Sequence, residues 1–303
     1  MGLGRLAGLA GEVGNIDAGP VVARGGGTQL DVGGPVARGT RLVRPPSGIV
    51  EHEPAEMTVR VLAGTTVADL DAGLAEAGQC VALPSWPRAT VGGVLAVGHS
   101  GIRRLGWGPI RDAVLEVRYV SAAGKVVKGG GPTVKNVSGY DLPRLLVGSL
   151  GTLGVLGEVV LRTRPLPAAQ QWHRASGGTD PFALRRVLHR PAAVLWDGSS
   201  TWVLLDGHPA DIDAEARAHR LQACAEEDVA ARPPHRWSLP PGELRTLPGD
   251  GRGPFVAEIG VGIVHRTLAQ PRREVSPAVR GLHARIKTAF DPTGRLAPGR
   301  VLA

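Results

Sequence analysis

The sequence predicts an α+β protein. Short runs rich in β-branched and apolar residues outnumber the helical segments, and glycine- and proline-rich turns separate them. The two kinds of segment are interspersed without the regular alternation of a βαβ fold. At 303 residues the chain accommodates one large or two ordinary domains, each able to bury a core of its own.

Leu3, Leu6, Leu9, Ala10 and Val13 recur at helical spacing, and Gly14-Asn15 ends that helix. Pro20 to Ala23 reads as a short strand that empties into Gly25-Gly26-Gly27. Arg41-Leu42-Val43 and Gly48 to Glu53 are short strands broken by Pro45-Pro46, and Met57 to Ala63 is a clearer one. Thr66 then caps a helix, with Asp69 three residues on. Val67, Leu70 and Leu74 share its inner face, and Gly78 is its expected C-cap. The proline-punctuated stretch from Pro84 to Arg88 leads into small residues from Thr90 to Gly101. The strand from Ala113 to Val120 turns at Ala123-Gly124 into a return through Lys125-Val126-Val127. A short helix is expected around Arg144 to Val147, and Gly157 to Arg164 is a strand closed by Pro165.

Further on, Asp180-Pro181 opens a helix, and Ala193 to Trp196 and Thr201 to Asp206 form a hairpin around Gly198-Ser199-Ser200. Asp211 to Ala231 reads as one long polar helix, and Arg232 to Gly253 as a proline-rich linker without clear structure. Phe255 to His265 reads as a single strand. Ser276-Pro277 starts the last helix, with Val279, Leu282, Ile286 and Phe290 inward.

Composition excludes several function classes. The net charge of +8 comes from 31 arginines and only four lysines, scattered without a basic block, and aromatic residues are few, so no nucleic-acid partner is expected. Cys80 and Cys224 are too isolated for a disulfide framework, a zinc site or an iron-sulfur cluster, so any electron chemistry belongs to a bound cofactor or a partner. No run approaches the eighteen apolar residues of a membrane span, and no basic region followed by an apolar stretch opens the chain. The expectation is a cytoplasmic protein with no transmembrane segment.

The chemistry is concentrated in glycine loops. Val22 to Gln29 delivers a strand into three consecutive glycines, where no Cβ blocks a ligand and successive backbone N–H groups can converge on one anion. The loop is not a P-loop, because Thr28-Gln29 rather than Lys-Ser/Thr follows Gly27. Nor does Gly25 to Leu30 supply the spacing of a dinucleotide fingerprint. A second glycine pair, Ala89-Thr90-Val91-Gly92-Gly93, offers a surface against which a large flat ligand can lie.

An ordered set of motifs makes a resemblance specific. Arg-Gly-Gly-Gly-Thr (24–28), Ala-Thr-Val-Gly-Gly (89–93), Ser-Gly (100–101), Gly-x-x-Arg-Asp (108–112), Lys-Asn-Val-Ser-Gly-Tyr-Asp-Leu (135–142) and Gly-Ser-Leu-Gly-Thr-Leu-Gly-Val (148–155) occur in sequence. Together they resemble the FAD-binding domain of the PCMH-type, or vanillyl-alcohol oxidase, flavoproteins. Within that family the chain is most similar to the FAD-binding subunits of glycolate oxidase, over residues 20–167. Phe290 to Arg300 also resembles the family's closing segment.

The resemblance implies a two-part FAD-binding domain over 1–167 and a reduced α+β cap over 168–303, with about 284–303 returning towards the flavin. Arg24, Gly25, Gly26, Gly27, Thr28 and Gln29, with Thr90, Val91, Gly92 and Gly93, would wrap the pyrophosphate through backbone N–H donors. Ser100 and Gly101 would approach the flavin end, and Glu158, Val159 and Val160 would present strand backbone to the cofactor. Relatives that attach FAD covalently place His in the glycine loop, whereas Thr28 cannot alkylate the flavin, so the FAD is expected to be non-covalent. The implied function is FAD-dependent oxidation of a small 2-hydroxy acid, beside a second flavoprotein and an iron-sulfur subunit. The alternatives are a stand-alone enzyme for another alcohol or sugar, and a non-catalytic electron-transfer or assembly subunit. Two departures from the family stand out: a short N-terminus, consistent with a late start or a trimmed domain edge, and Ala297 in place of the usual Asn before Pro-Gly.

Other candidates are weighed singly. Glu258 to His265 matches, spacing for spacing, the His-x-Gly-Asp-Gly-Asn-x-His metal and substrate motif of related 2-hydroxyacid dehydrogenases, but Glu258, Val261 and Ile263 replace three polar positions. No metal is therefore expected, and an ordinary core strand is the favoured reading. His99 either faces the flavin as an acid or base or is a solvated loop histidine. Trp86 and Trp107 pack either on the cofactor or in the core. Arg103, Arg104 or Arg111 is the candidate carboxylate clamp, although Arg111-Asp112 also reads as a structural pair.

Overall fold

The computed structural model describes residues 4–131, 141–271 and 274–301. They form two compact units: Met1–Gly101 with Pro109–Leu166 and Arg273–Ala303, and Ile102–Gly108 with Pro167–Arg272. The α+β class holds in both.

In the first unit, α1 (Ala7–Val13) buries Leu9 and Val13 and ends at Gly14, whose φ is +74°. β1 (Val21–Ala23) pairs in parallel with β2 (Arg41–Val43). β3 (Ile49–Glu53) and β4 (Thr58–Leu62) form an antiparallel pair, and α2 (Val67–Ala75) follows with Thr66 accepting from the Asp69 N–H as its cap. The helix stops before the expected C-cap: Ala77 and Gly78 close tight turns onto Leu74 and Ala75, and Gly78 turns the chain into β5 (Gln79–Cys80). Next come α3 (Val91–Val97) and the four-residue α4 (Arg104–Trp107), the latter part of the second unit. β6 (Val114–Val120), β7 (Val126–Gly130), α5 (Leu142–Leu146), β8 (Val155–Arg162) and β9 (Arg164–Pro165) complete this stretch.

The main sheet of this unit is antiparallel in the order β3-β4-β8-β6-β7. Val59, Val61, Val117, Val159 and Leu161 pack with Leu70 and Leu74 of α2 and Val94 and Leu95 of α3 in one core. A buried ion network lies across β4, β6 and β8. Arg60 Nη1 is 2.9 Å from Glu116 and 3.0 Å from Glu158, and Arg118 Nη1 is 2.9 Å from Glu158.

The second unit is built on a seven-stranded antiparallel sheet. Its strands are β10 (Ala169–Arg174), β11 (Ala193–Trp196), β12 (Thr201–Gly207), β13 (Gln222–Cys224), β14 (His235–Ser238), β15 (Phe255–Glu258) and β16 (Ile263–Arg266). They are ordered β13-β10-β12-β11-β15-β16-β14. α6 (Pro181–Val187) and α7 (Pro209–Ala218) contribute Leu184, Ile212 and Ala216 to a core with Val194, Val203, Ala257 and Val264.

Four expectations are corrected here. The polar helix ends at Ala218, because Arg220 turns left-handed (φ +53°) and the Leu221 N–H bonds back to the Ala216 carbonyl, the helix-ending pattern usually reserved for glycine. The supposed linker contains β14, anchored by buried Trp237, and a 3-10 stretch, Pro241–Gly249, anchored by Leu244 and Leu247. The strand expected from Phe255 to His265 is a hairpin, broken where Gly260 and Gly262 take φ of +84° and +82°. α8 (Pro277–Phe290), capped by Ser276, returns the chain to the first unit, but of its four residues expected inward only Ile286 and Phe290 pack on that unit's core, while Val279 and Leu282 are exposed. Among the described residues no helix is long and apolar enough to cross a membrane.

Candidate functional site

β1 delivers the chain into the glycine loop. The last ladder-like bond runs from the Arg24 N–H to the Val43 carbonyl, 2.9 Å. Beyond it, among the described residues, the N–H groups of Gly25, Gly26, Gly27 and Thr28 have no acceptor within the chain. Four consecutive donors left unspent form a nest for an anion.

Glycine is required here by packing as much as by ligand approach. A Cβ on Gly26 would stand 1.7 Å from the Arg88 carbonyl oxygen, and one on Gly25 would stand 2.0 Å from Thr90 Oγ1. The loop therefore lies directly on the segment 88–90. Thr28 Oγ1 accepts from Trp86 Nε1 at 3.1 Å, and the Trp86 ring packs against the core of the first unit, so Trp86 pins the loop from below.

The second glycine segment behaves differently. Thr90 is the N-cap of α3 and accepts from the Gly93 N–H at 3.3 Å. The Val91 and Gly92 N–H groups donate to the carbonyls of Thr65 (2.9 Å) and Ala63 (2.8 Å). The N–H donors at 91–93 are thus consumed by the fold, which corrects the expectation that both glycine segments supply them. Thr90, Gly92 and Gly93 instead form a smooth wall, and the Val91 side chain is fully buried.

Between loop and wall lies a cleft open to solvent. Arg24 to Leu30, Thr90, Gly92 and Gly93 line it together with Ser149 to Gly151 and Arg300. Arg300 Nη1 donates to the Leu150 carbonyl at 3.2 Å and Nη2 to the Leu30 carbonyl, while its buried Nε has no acceptor. Burial pulls the Arg300 pKa below the ordinary arginine value, with Asp31 opposing, yet a guanidinium remains charged. Free N–H groups, two guanidinium groups and a glycine wall make an elongated anion cradle, which suits the diphosphate of a dinucleotide.

Residues 15–130 match the family model described as FAD binding domain. That segment of the chain is similar to FAD-binding domains. It is 42% identical over 158 residues to glycolate oxidase subunit GlcE of Escherichia coli (strain K12), an alignment covering 50% of this chain and 45% of that protein. A D-lactate dehydrogenase of Archaeoglobus fulgidus is 40% identical over 151 residues, 48% of this chain and 33% of that protein. The chain thus spans less than half the length of these curated relatives. In fold it is similar to an alkyldihydroxyacetonephosphate synthase (TM-score 0.69, 15% identity, 98% of this chain and 74% of that one).

Not every residue expected near the cofactor meets the cleft. Ser100 Oγ accepts from the Ile110 N–H at 3.2 Å, and neither Ser100 nor Gly101 lines the cleft. Glu158, Val159 and Val160 do not line it either. They lie in β8, whose backbone is paired with β4 on one side and β6 on the other, and the Glu158 carboxylate is held by Arg60 and Arg118. A central strand has no free backbone to offer a ligand. The motif 135–140 lies outside the described residues, while Asp141 caps α5 through the Arg144 N–H. His99 sits half-buried in the loop after α3.

Of the three arginines weighed as a carboxylate clamp, two are engaged. Arg103 binds Asp206 (3.1 Å) and Gln170 and covers the Trp107 ring. Arg111 is exposed beside Asp112, which is itself paired with Arg144 at 2.7 Å. Arg104 has no acceptor among the described residues. The residues resembling a metal motif do meet, since Glu258 Oε1 lies 2.9 Å from His265 Nε2 across the β15–β16 hairpin. Among the described residues no group of three or more His, Cys, Asp or Glu is placed to hold a metal ion. Arg300 was missed as a site residue, and its only sequence signal is its place in the closing segment.

Proposed function

We propose that the protein is an FAD-dependent oxidoreductase that holds its cofactor non-covalently and oxidises a small 2-hydroxy acid as one subunit of a larger enzyme. The observation that carries the reading is the run of unspent N–H donors at Gly25 to Thr28, facing a cleft that Arg24 and Arg300 make positive. Thr28 occupies the loop position without a ring nitrogen able to bond the flavin, which supports reversible binding. Bound there, FAD supplies a two-electron acceptor. The loop residues hold its diphosphate, the wall at Thr90 to Gly93 admits close approach, and Trp86 keeps the loop in place.

The substrate class follows from the relatives, whose names specify glycolate and D-lactate, both 2-hydroxy acids. The assembly follows from the word subunit in the glycolate oxidase names and from the absence of cluster-forming cysteines in this sequence. A second flavoprotein and an iron-sulfur protein are the partners that complete electron transfer. The Glu258–His265 pair, standing where the resembled motif has metal-binding residues, favours a second reading in which the chain transfers electrons without binding the substrate.

Acid precipitation should release the flavin into the supernatant, and flavin retained in the pellet would refute non-covalent binding. Anaerobic mixing with glycolate or D-lactate, alone and with co-purified partners, should bleach the flavin band. Bleaching by a neutral alcohol or sugar and by no hydroxy acid would overturn the substrate. Reduction of the flavin only through a partner that itself oxidises the acid would favour the electron-transfer reading.

A further inference from the structure

The fold accounts for the backbone of Arg88 and not for its side chain. The Ala89 N–H closes a four-residue turn on the Trp86 carbonyl at 3.0 Å, with Pro87 second and Arg88 third. Arg88 has φ of +65°, the left-handed conformation that the third position of a type II turn demands and that glycine or asparagine takes at least cost. Both flanks of the turn are fixed. Trp86 Nε1 donates to Thr28, the Ala89 carbonyl accepts from the Val67 N–H at 2.8 Å, and Thr90 caps α3. The Arg88 carbonyl fits under Gly26, a contact that any residue at this position would make.

Glycine would therefore serve the turn better than arginine. The Arg88 side chain is exposed, and among the described residues its guanidinium has neither a hydrogen-bond acceptor nor an ion pair. Its Cβ stands 3.1 Å from where a Cβ on Gly26 would be, so the side chain springs from the base of the loop whose N–H groups are unspent. Arg88 is not among the residues that line the cleft, but an exposed side chain changes rotamer rapidly and can turn towards it. The cleft's own guanidinium groups are partly committed. Arg300 spends both Nη groups on the Leu30 and Leu150 carbonyls, and Arg24 lies over Gly27, its Nε 3.0 Å from where a Cβ there would be. A diphosphate presents charged oxygens on two phosphate groups, and a guanidinium forks onto such oxygens. Arg190 and Arg220 share the left-handed conformation, but both lie in the second unit, after α6 and α7.

We propose that Arg88 is a binding residue for the diphosphate of FAD, kept in an unfavourable turn conformation because its guanidinium closes on the anion seated at Gly25 to Thr28. This rests on the cofactor reading above. Strain of this kind persists where function uses the residue.

The arginine works for the ligand and against the fold, so its replacement should spare stability while weakening binding. Full-length apoprotein is titrated with FAD by flavin fluorescence and with ADP, which carries the diphosphate without the flavin, by calorimetry. Urea midpoints are recorded without ligand. Arg88→Gly should unfold at the wild-type urea midpoint or above it, and should bind both ligands roughly tenfold to hundredfold more weakly, the loss of a hydrogen bond to a charged group. Arg88→Asn should do the same, and it serves as the measured variant if glycine loosens the turn. Arg88→Lys should recover most of the affinity. The gap between wild type and Arg88→Gly should shrink in about 1 M salt, where the screening length is about 3 Å. Arg220→Gly removes an exposed left-handed arginine elsewhere and should bind FAD as the wild type does. Equal FAD affinity for wild type and Arg88→Gly, a urea midpoint that falls together with affinity, a lysine variant no better than the glycine variant, or an effect on FAD that ADP does not share would overturn the proposal alone. A wild type that binds neither FAD nor ADP would overturn the cofactor reading and the proposal with it.

Discussion

Replacing Gly26 by alanine is the sharpest single perturbation of the cofactor loop. Its Cβ would meet the Arg88 carbonyl oxygen at 1.7 Å, whereas ordinary van der Waals contact begins at 3.4 Å. Neither side is the end of a flexible side chain, so the loop backbone must move away from the segment 88–90. That movement carries the N–H groups of Gly26 and Gly27 out of hydrogen-bond range of a bound phosphate. Two hydrogen bonds to a charged group are worth about 3–6 kcal/mol, which corresponds to roughly a hundred- to ten-thousandfold loss of FAD affinity. Flavin fluorescence titration of the apoprotein measures it, with the urea midpoint recorded in parallel. Gly93→Ala meets only Thr90 Oγ1 at 3.0 Å and should lose far less. The reasoning is refuted if Gly26→Ala binds FAD within threefold of the wild type, or if Gly93→Ala is the more damaged of the two.

Four further outcomes follow from buried charge. Arg60→Ala removes one cation from Glu116 and Glu158, 1% and 0% exposed, which keep Lys128 and Arg118 as partners, and should cost about 1–3 kcal/mol of unfolding free energy in urea melts. Burial pushes the Glu116 pKa up, but Arg60 and Lys128 outweigh it and hold the carboxyl below its ordinary 4.5, so its contribution is present above pH 4.5 and is lost as the pH falls through the lower folded value; a wild-type and Arg60→Ala difference that stays constant down to pH 2 would contradict this. Burial raises Asp71 from 3.8 to about 6, so the folded state holds its proton longer and stability declines as the pH rises between those values; Asp71→Asn should raise the melting temperature at pH 7 and converge with the wild type below pH 4. Arg295→Met removes donors to the Val13 (2.6 Å), Gly19 (2.9 Å) and Ala122 (2.9 Å) carbonyls and should lower both stability and FAD affinity, although Arg295 does not line the cleft.

The parts of the site that were legible in the sequence are those decided by neighbours along the chain. Three glycines after a strand identify a loop able to bring N–H groups together, and Gly25 to Thr28 do so. The Thr66 cap with Asp69 is equally local. What the sequence hid depends on distant partners. The N–H groups at 91–93 look as available as those of the first loop, and only the carbonyls of Ala63 and Thr65, about thirty residues earlier, consume two of them. Glu158 was misplaced for the same reason, since its fate is set by Arg60 and Arg118 on neighbouring strands. The hairpin at Gly260 and Gly262 was readable: two glycines two apart inside an apolar run are a turn signal, outweighed by the motif comparison.

The closing segment explains why a site announced by residues 24–29 depends on the far end of the chain. β1 has only three residues and one paired neighbour, too little to fix the loop that follows it. Leu296 bridges to Val21 on its open side, with the Val21 N–H donating to the Arg295 carbonyl and the Ala297 N–H to the Val21 carbonyl. Asp291, nearly fully buried, gathers Lys287 and the N–H groups of Arg295 and Leu296, so the end of α8 sets the position of the segment. Ala297 then adopts φ of +44°, a conformation that glycine and asparagine reach more cheaply than alanine, which gives a backbone reason for the family's asparagine at this position. That left-handed step turns the chain so that Arg300 reaches Leu30 and Leu150 at the two sides of the cleft. The strand, the glycine loop and the terminal arginine are therefore one construction. A change at Asp291 or Arg295 reaches the cofactor through β1, without touching it.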